Sequence, residues 1–261
     1  MTALVYDAAR SCWLRFSEPV AVVQTSDINE VFAKLQHVER MVNERQLHAA
    51  GFISYEASPV FDPALHVHSD GSFPLLWFGL FETPEPFRLT TSDNSLFTFG
   101  EWNPSVRRHE YDDAITRIKS YIQAGDTYQV NYSFRLRSPF WGDAHEFFLH
   151  LANAQLSNNG AFIETDDFAI CSASPELFFS LDGENITARP MKGTAPRGLT
   201  PARDKHQSEA LRKSEKNRAE NLMIVDMMRN DLGRIAEVGS VHVRSLFDVE
   251  RYPTVWQMTS T

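Results

Sequence analysis

From Asp27 to Arg45 apolar side chains return at helical intervals. Ile28, Val31, Phe32, Leu35, Val38 and Val42 form one stripe, and Asp27 with Glu30 has the spacing of a capping box at its start. This pattern predicts an amphipathic surface helix. Two unbroken apolar runs, Gly51 to Tyr55 and Leu75 to Phe81, are short and aromatic enough for buried strands. Residues 83–108 then turn rich in Pro, Thr, Ser and Asn, with one strand-like patch at Leu96 to Phe99. A composition of that kind marks a domain boundary and divides the chain into 1–108 and 109–261.

The helical stripe returns with Tyr111, Ile115, Ile118 and Ile122, and Gly125 stops it. From Tyr128 to Leu136 apolar and polar residues alternate without a fault, which predicts a strand with one buried and one polar face. Ala161 to Ile163, Phe168 to Cys171, Leu177 to Leu181 and Ile186 to Ala188 read as further strands, the last two joined by an Asp182-Gly183 turn. Ser214 caps a final helix that runs to Leu232 with Gly233 as its stop. Leu222, Met223, Ile224, Val225, Met227 and Met228 cover nearly every face of it, so it is expected to be buried. Val255 to Thr261 reads as a strand that ends as an unpaired apolar edge.

With 261 residues, 43% of them hydrophobic, the chain can bury one substantial core or two modest ones. A net charge of -9 argues against binding a phosphate backbone or an anionic membrane, so any anionic substrate must meet local positive charge. Cys12 and Cys171 are too few for a disulfide framework, and no secretory start or long apolar run occurs; the expected location is the cytoplasm. His66, His68 and Asp70 alternate in a way that would put two imidazoles on one strand face. No third ligand is evident, so a polar loop explains them better than a metal site does.

Two places carry candidate chemistry. The first is Arg189-Pro-Met-Lys192-Gly-Thr-Ala-Pro-Arg-Gly198, a lysine in a Gly/Pro-rich segment just past a hairpin. Lys192 reads either as a solvated side chain or as a nucleophile, and the second role requires surroundings that favour the neutral amine. Glu176 lies at the other end of the same hairpin, so an acid and an amine can face one cleft. The second place is the final helix, where Glu220, Asp226 and Asn230 interrupt an apolar run and Asn217 lies one turn before Glu220. Such carboxylates are met either by Arg218, Arg229 or Arg234, or by a hard divalent ion, for which Mg²⁺ is the preferred choice.

Four segments together resemble the chorismate-utilising enzymes, and among them the aminodeoxychorismate (para-aminobenzoate) synthase component I branch. They are Ile122-Gln-Ala-Gly-Asp-Thr-Tyr-Gln-Val-Asn131, Ser172-Ala-Ser-Pro-Glu176, Arg189-Pro-Met-Lys-Gly-Thr194 with Pro196-Arg-Gly198, and Lys216-Asn-Arg-Ala-Glu-Asn-Leu-Met-Ile-Val-Asp226 with Arg229-Asn-Asp-Leu-Gly233. The resemblance runs from about Tyr111 onward, and Gly51 to Ser58 and Pro74 to Phe81 resemble the N-terminal part of the same synthases. It implies an α+β fold of largely antiparallel β-sheets with helices packed on the outside, here C-terminally incomplete. Family members that add water to chorismate carry a lysine base at the position of Gln129, so the resemblance implies a nitrogen nucleophile. Anthranilate synthases usually carry alanine at the position of Lys192, so the implied product is 4-amino-4-deoxychorismate, on the route to para-aminobenzoate and folate.

By the same resemblance Mg²⁺ grips the ring carboxylate of chorismate, with Glu220 as one ligand, and Glu176 protonates the departing C4 hydroxyl. Lys192 adds at C2, ammonia from a glutamine amidotransferase subunit enters at C4, and the lysine is expelled. Gly193 and Thr194 line the pocket, and Arg197 is expected to help offset the charge of the dianionic substrate. The resemblance also implies a Gly-rich segment and a second Mg²⁺-binding glutamate beyond Thr261, and it aligns Gln257 with a histidine of anthranilate synthases. The expected object is therefore the first two thirds of a synthase. Anthranilate synthase component I, or an inactive fragment that retains only the amidotransferase contact, are the rival readings.

Overall fold

In the computed structural model, β1 (Thr2–Asp7) and β2 (Cys12–Ser17) form an antiparallel hairpin with Thr2 opposite Ser17 and Asp7 opposite Cys12. Next come β3 (Ala21–Thr25), α1 (Val31–Arg45), β4 (His48–Ile53) and β5 (Leu76–Phe81), with β5 central in a sheet ordered β3-β5-β4. Leu76–Phe81 is thus a strand and Gly51–Ile53 part of one, whereas Tyr55, 81% exposed, opens a short 3-10 helix, Tyr55–Val60. One face of this sheet packs Val23, Leu76 and Leu80 against Val31 and Val38 of α1, supported by Leu35, Met41 and Val42. The helix starts later than the Asp27/Glu30 spacing implies. Asp27 Oδ1 accepts the Asn29 N–H at 2.9 Å and closes a turn, while the Glu30 carboxylate accepts from Thr25 Oγ1 at 2.9 Å. Both side chains expected to cap the helix are therefore engaged before it begins. A short strand β6 (Glu85–Phe87) borders β2.

The structure describes residues 1–68, 71, 73–91, 97–156 and 158–261. His66 and His68 lie in irregular chain rather than on a strand, and Asp70, like Leu96, falls outside the described residues. The molecule comprises two compact units, residues 1–91 with 148–261, and residues 92–147.

In the 92–147 unit, β7 (Phe97–Phe99), β8 (Asn103–Pro104), α2 (Arg108–Ala124), β9 (Leu136–Arg137) and β10 (Phe140–Gly142) follow in order. β7 pairs with β10 and β8 with β9. Phe97, Phe99, Phe140 and Phe147 form one aromatic cluster, with centroid separations of 5.1 Å for Phe99–Phe147 and 5.2 Å for Phe99–Phe140. α2 ends at Gly125 with φ of 83°, a left-handed C-cap that glycine adopts without strain. At its start Glu110 accepts the Arg107 backbone N–H at 2.7 Å, and the adjacent Arg107 guanidinium pulls its carboxyl down to about 2. The strand expected over Tyr128 to Leu136 is not formed: among these residues only Leu136 joins a ladder, and Tyr128 is 85% exposed. Alternation assigns side chains to two faces, but a strand also needs a partner for its backbone, and here pairing stops where Ser105 N–H meets Arg135 C=O at 2.8 Å.

In the larger unit the chain continues through α3 (Ala144–Gln155), β11 (Asn159–Glu164), β12 (Ala169–Ser174), β13 (Leu177–Asp182), β14 (Asn185–Arg189), β15 (Met191–Pro196), α4 (Pro201–Lys213), α5 (Glu215–Gly233), β16 (Asp248–Arg251) and β17 (Val255–Thr259). β11 and β12 extend the first hairpin into a five-stranded sheet, β12-β11-β1-β2-β6. Thr2 lies opposite Glu164 in it, so the N-terminal strands share a sheet with residues beyond the expected boundary at 108, and the 1–108/109–261 division is not the structural one. Ala3, Phe16 and Ile163 on one face meet Ala50, Trp77 and Phe81 of the β3-β5-β4 sheet. On the other face Phe162 stacks on Phe148 of α3 at 5.2 Å, and Trp13 meets the same ring edge-on at 5.4 Å. α1, two sheets and α3 form successive layers, and every strand pairing among the described residues is antiparallel, as the α+β class requires.

Two further expectations are overturned. β17 is the central strand of a β15-β17-β16 sheet, bonded on both sides, and not an unpaired edge. α5 is not enclosed: Asn221 and Val225 are its buried residues, whereas Leu222 is 45% and Met227 57% exposed. One face of the helix lies on β15, and Met223, Ile224 and Met228 are partly buried. Among the described residues no helix is long and apolar enough to cross a membrane.

Phe162 is fully buried between layers. Phe162→Ala is expected to lower the free energy of unfolding by about 3–5 kcal/mol, read as a lower urea midpoint at unchanged denaturant slope.

Candidate active site

β15 does not pair evenly with β17. Met191 lies opposite Thr259 and Thr194 opposite Gln257, so Lys192 and Gly193 together face Met258 alone. This is a β-bulge, a feature that bends a strand and re-aims a side chain. Gly193 completes it with φ of +106°, and a Cβ there would lie 3.1 Å from Asn217 Cβ and 3.2 Å from Met258 Cβ. Only glycine fits that backbone with α5 so close.

α5 is fixed against the bulge at its first turn. Ser214 Oγ accepts the Asn217 backbone N–H at 3.3 Å and its Nδ2 at 2.9 Å, the cap that the sequence indicates. One turn on, Asn221 is 0% exposed. Its Nδ2 donates to the carbonyl oxygens of Lys192 at 3.3 Å and Met258 at 3.4 Å, and its Oδ1 accepts from Ser260 Oγ at 2.5 Å. Sequence reasoning does not single out Asn221. The available signal is a polar residue at the head of the apolar run from Leu222 to Met228, but only the fold shows what it bonds.

Glu176 stands where the β13–β14 hairpin opens, with Leu177 opposite Arg189. Its backbone N–H donates to Ser174 Oγ at 3.2 Å, and its exposed side chain accepts the Met191 N–H through Oε1 at 3.1 Å. The acid is thereby held on the residue next to Lys192. Glu220, half-buried, precedes Asn221 on α5 and has Lys216 Nζ at 3.9 Å. Glu176 of the hairpin and Asn221 of the helix are thus bonded to the backbone of the bulged strand at Met191 and Lys192. Thr194 Oγ1 donates to Gln257 Oε1 at 2.8 Å across the same pair of strands.

Arg197 is engaged elsewhere. Its Nε and Nη2 donate to Asp204 at 2.7 and 2.5 Å, its Nη1 to the Tyr252 carbonyl at 2.7 Å, and its guanidinium carbon lies 5.0 Å from the Trp256 ring centroid. Asp204 also accepts from Trp256 Nε1 at 2.9 Å and the Gly198 N–H at 2.9 Å. The Arg197 guanidinium, followed by those two donors, holds the Asp204 carboxyl well below the usual carboxylate range. Arg197 thus anchors α4 to β17 with its charge paired to Asp204, and it is one of the residues lining the neighbouring cavity. That cavity of 540 Å³ opens beside this network, and Lys192, Glu176 and Glu220 do not line it. Arg189 is likewise committed, in an ion pair with Glu250 of β16.

Gln129 belongs to the 92–147 unit, where its Oε1 is buried without a hydrogen-bond partner among the described residues. The described residues contain no group of three or more His, Cys, Asp or Glu side chains able to hold a metal, and Glu220 is the carboxylate that the sequence offers for one. One carboxylate completed by water and substrate oxygens is a donor set that suits Mg²⁺.

Residues 88–261 match the model of the chorismate binding enzyme family. The chain is 42% identical over 179 residues to aminodeoxychorismate synthase component 1 of Salmonella typhimurium, covering 69% of this chain and 37% of that protein. It is 45% identical over 160 residues to the protein of the same name from Klebsiella aerogenes, covering 61% and 36%. The chain thus spans little more than a third of the length of these relatives. Anthranilate synthase component I from Streptococcus pneumoniae shares the fold with a TM-score of 0.68 at 22% identity, over 82% of this chain and 56% of that one.

Two outcomes test this geometry. Gly193→Ala is expected to cost about 1–3 kcal/mol of stability, from strain at positive φ and contact with Asn217 and Met258. Asp204 has a lowered folded-state pKa, so its contribution is complete above the ordinary aspartate value of about 4 and fades as pH falls below it. In urea titrations Asp204→Asn should lie below the parent at neutral pH, and the gap should narrow from about pH 4 downward. A gap that stays constant would show that the Arg197–Asp204 pair contributes nothing.

Proposed function

The chain belongs to the chorismate binding enzyme family, and from that premise we propose that it serves the amination of chorismate at C4, giving 4-amino-4-deoxychorismate. The observation that carries this reading is Lys192, set on a bulge with Glu176 hydrogen-bonded to the adjacent residue, in a chain that is 42–45% identical to two aminodeoxychorismate synthase components. Ammonia would come from a glutamine amidotransferase partner, the role that the component numbering of those relatives leaves for a second subunit.

In this proposal the Lys192 amine forms a bond to C2 as both ring double bonds shift and the C4 hydroxyl departs. Glu176 gives that hydroxyl its proton, so the leaving group is water. Ammonia then forms the C4–N bond and gives up a proton that restores Glu176, both double bonds shift back, and the C2–N bond breaks to return Lys192 as an amine. The bulge points the lysine out of the regular alternation of β15, and the Met191 N–H fixes the acid within one residue of it. Mg²⁺ held by Glu220 would supply positive charge to the substrate carboxylate. Gly193 and Thr194 would border the substrate from the same strand, and Gln129 is a carboxamide, with no basic nitrogen to activate water.

The protein incubated with chorismate, ammonium and Mg²⁺ is expected to yield 4-amino-4-deoxychorismate, identified by mass and distinguished from anthranilate by the latter's fluorescence. Lys192→Ala should lower turnover by at least about a hundredfold with the fold retained. An unchanged rate and product in that variant would end the covalent role of the lysine.

A further inference from the structure

A β-bulge solves one problem and creates another. Placing Lys192 and Gly193 opposite Met258 turns the lysine out of the strand's alternation, but it interrupts the ladder, and the carbonyls on either side of the break need other donors. Asn221 supplies both from one amide group, since Nδ2 reaches the carbonyl oxygens of Lys192 and Met258 together. The two hydrogens of a carboxamide suit that task, whereas a hydroxyl has one and a carboxylate none.

The amide is also held in one sense. Ser260 Oγ donates to Asn221 Oδ1 and itself receives the Phe247 N–H at 3.2 Å, so the oxygen side of Asn221 is fixed toward Ser260 and the NH₂ side toward the bulge. Asn221 and Ser260 are 0% and 1% exposed, so water does not replace either partner. A chain of hydrogen bonds therefore runs from the Phe247 backbone through Ser260 and Asn221 to the backbone of Lys192.

We infer that Asn221 is the positioning residue for Lys192: its oriented amide holds the bulge, and the bulge aims the lysine. The inference rests on the reading of Lys192 as the reacting amine, but it concerns the placement of that amine and is tested without turnover. The full chain and two variants, Asn221→Asp and Ser260→Ala, are treated with trinitrobenzenesulfonate. Labelling at Lys192 is quantified by peptide mass spectrometry relative to the exposed Lys119 and Lys205 within the same molecules.

Asp has the shape of Asn, so a side chain that merely fills space would leave labelling unchanged at every pH. If the amide holds the bulge, the introduced carboxylate faces two carbonyl oxygens and releases it. Normalised labelling of the half-buried Lys192 should then rise about fivefold or more at about pH 9, the shift that losing buried hydrogen bonds produces. Ser260→Ala should raise labelling in the same direction by a smaller factor at all pH values. Lys192 labelling within about twofold of the parent in both variants, with circular dichroism showing them folded, overturns the proposal. If Asn221→Asp fails to fold, Ser260→Ala decides alone. A turnover assay of Lys192→Ala judges the catalytic reading separately, so the two can fail independently.

Discussion

The close approach of α5 to the bulged strand β15 is the constraint on which the site depends. A helix axis ordinarily stands about 10 Å from a sheet it covers, because side chains fill the space between. Here Gly193 removes the side chain at the contact point, and Asn217 and Asn221 come near enough for an amide to bond strand carbonyls directly. Each part depends on the other. Without the glycine the helix is held off, and without the amide the bulge leaves carbonyls unsatisfied in a place closed to water. The lysine takes its direction from this arrangement, and the acid takes its position from the residue that precedes it.

Much of the architecture is legible from periodicity because most of these strands have one face against a core. Gly51 to Tyr55 and Leu75 to Phe81 announce themselves by apolar content, and Gly125 and Ser214 mark helix ends through chemistry that is local to the backbone. What fails is what depends on partners distant in the chain. Tyr128 to Leu136 has the alternation of a strand but no ladder beyond Leu136, and α5 has apolar residues on all sides yet leaves Leu222 and Met227 uncovered. β17 looked like a bare edge because nothing in its own sequence reveals that β15 and β16 flank it. Even the capping pair Asp27/Glu30 misleads, since Thr25 competes for the glutamate.

The candidate site shows the same division. Lys192 and Glu176 are visible in the sequence because a Gly/Pro-rich segment and a tight turn place them at the two ends of one hairpin. Glu220 stands out as a carboxylate in an apolar helix. Asn221, the neighbour of Glu220, carries no such flag, because an asparagine in a helix is ordinarily a solvated residue and its partners here are backbone atoms of two strands. Arg197 invites a ligand role through its charge, but charge alone does not reveal that Asp204, Tyr252 and Trp256 already surround it.

That commitment of arginines bears on how an acidic chain could receive a dianion. The chain carries a net charge of -9, and both arginines of the Arg189-to-Gly198 segment are paired with carboxylates, Arg189 with Glu250 and Arg197 with Asp204. Their charge is neutralised where it stands, and they brace the β15-β17-β16 sheet instead. Lys192 is the remaining basic residue of that segment, and the Glu220 carboxylate has Lys216 Nζ at 3.9 Å. Within the proposed reaction, a cation bound through Glu220 would reverse the sign of that carboxylate's charge and let one carboxylate attract another. The lysine could then react as a neutral amine without depriving the substrate of its counter-charge, which separates electrostatic binding from nucleophilic attack and assigns each to a different group.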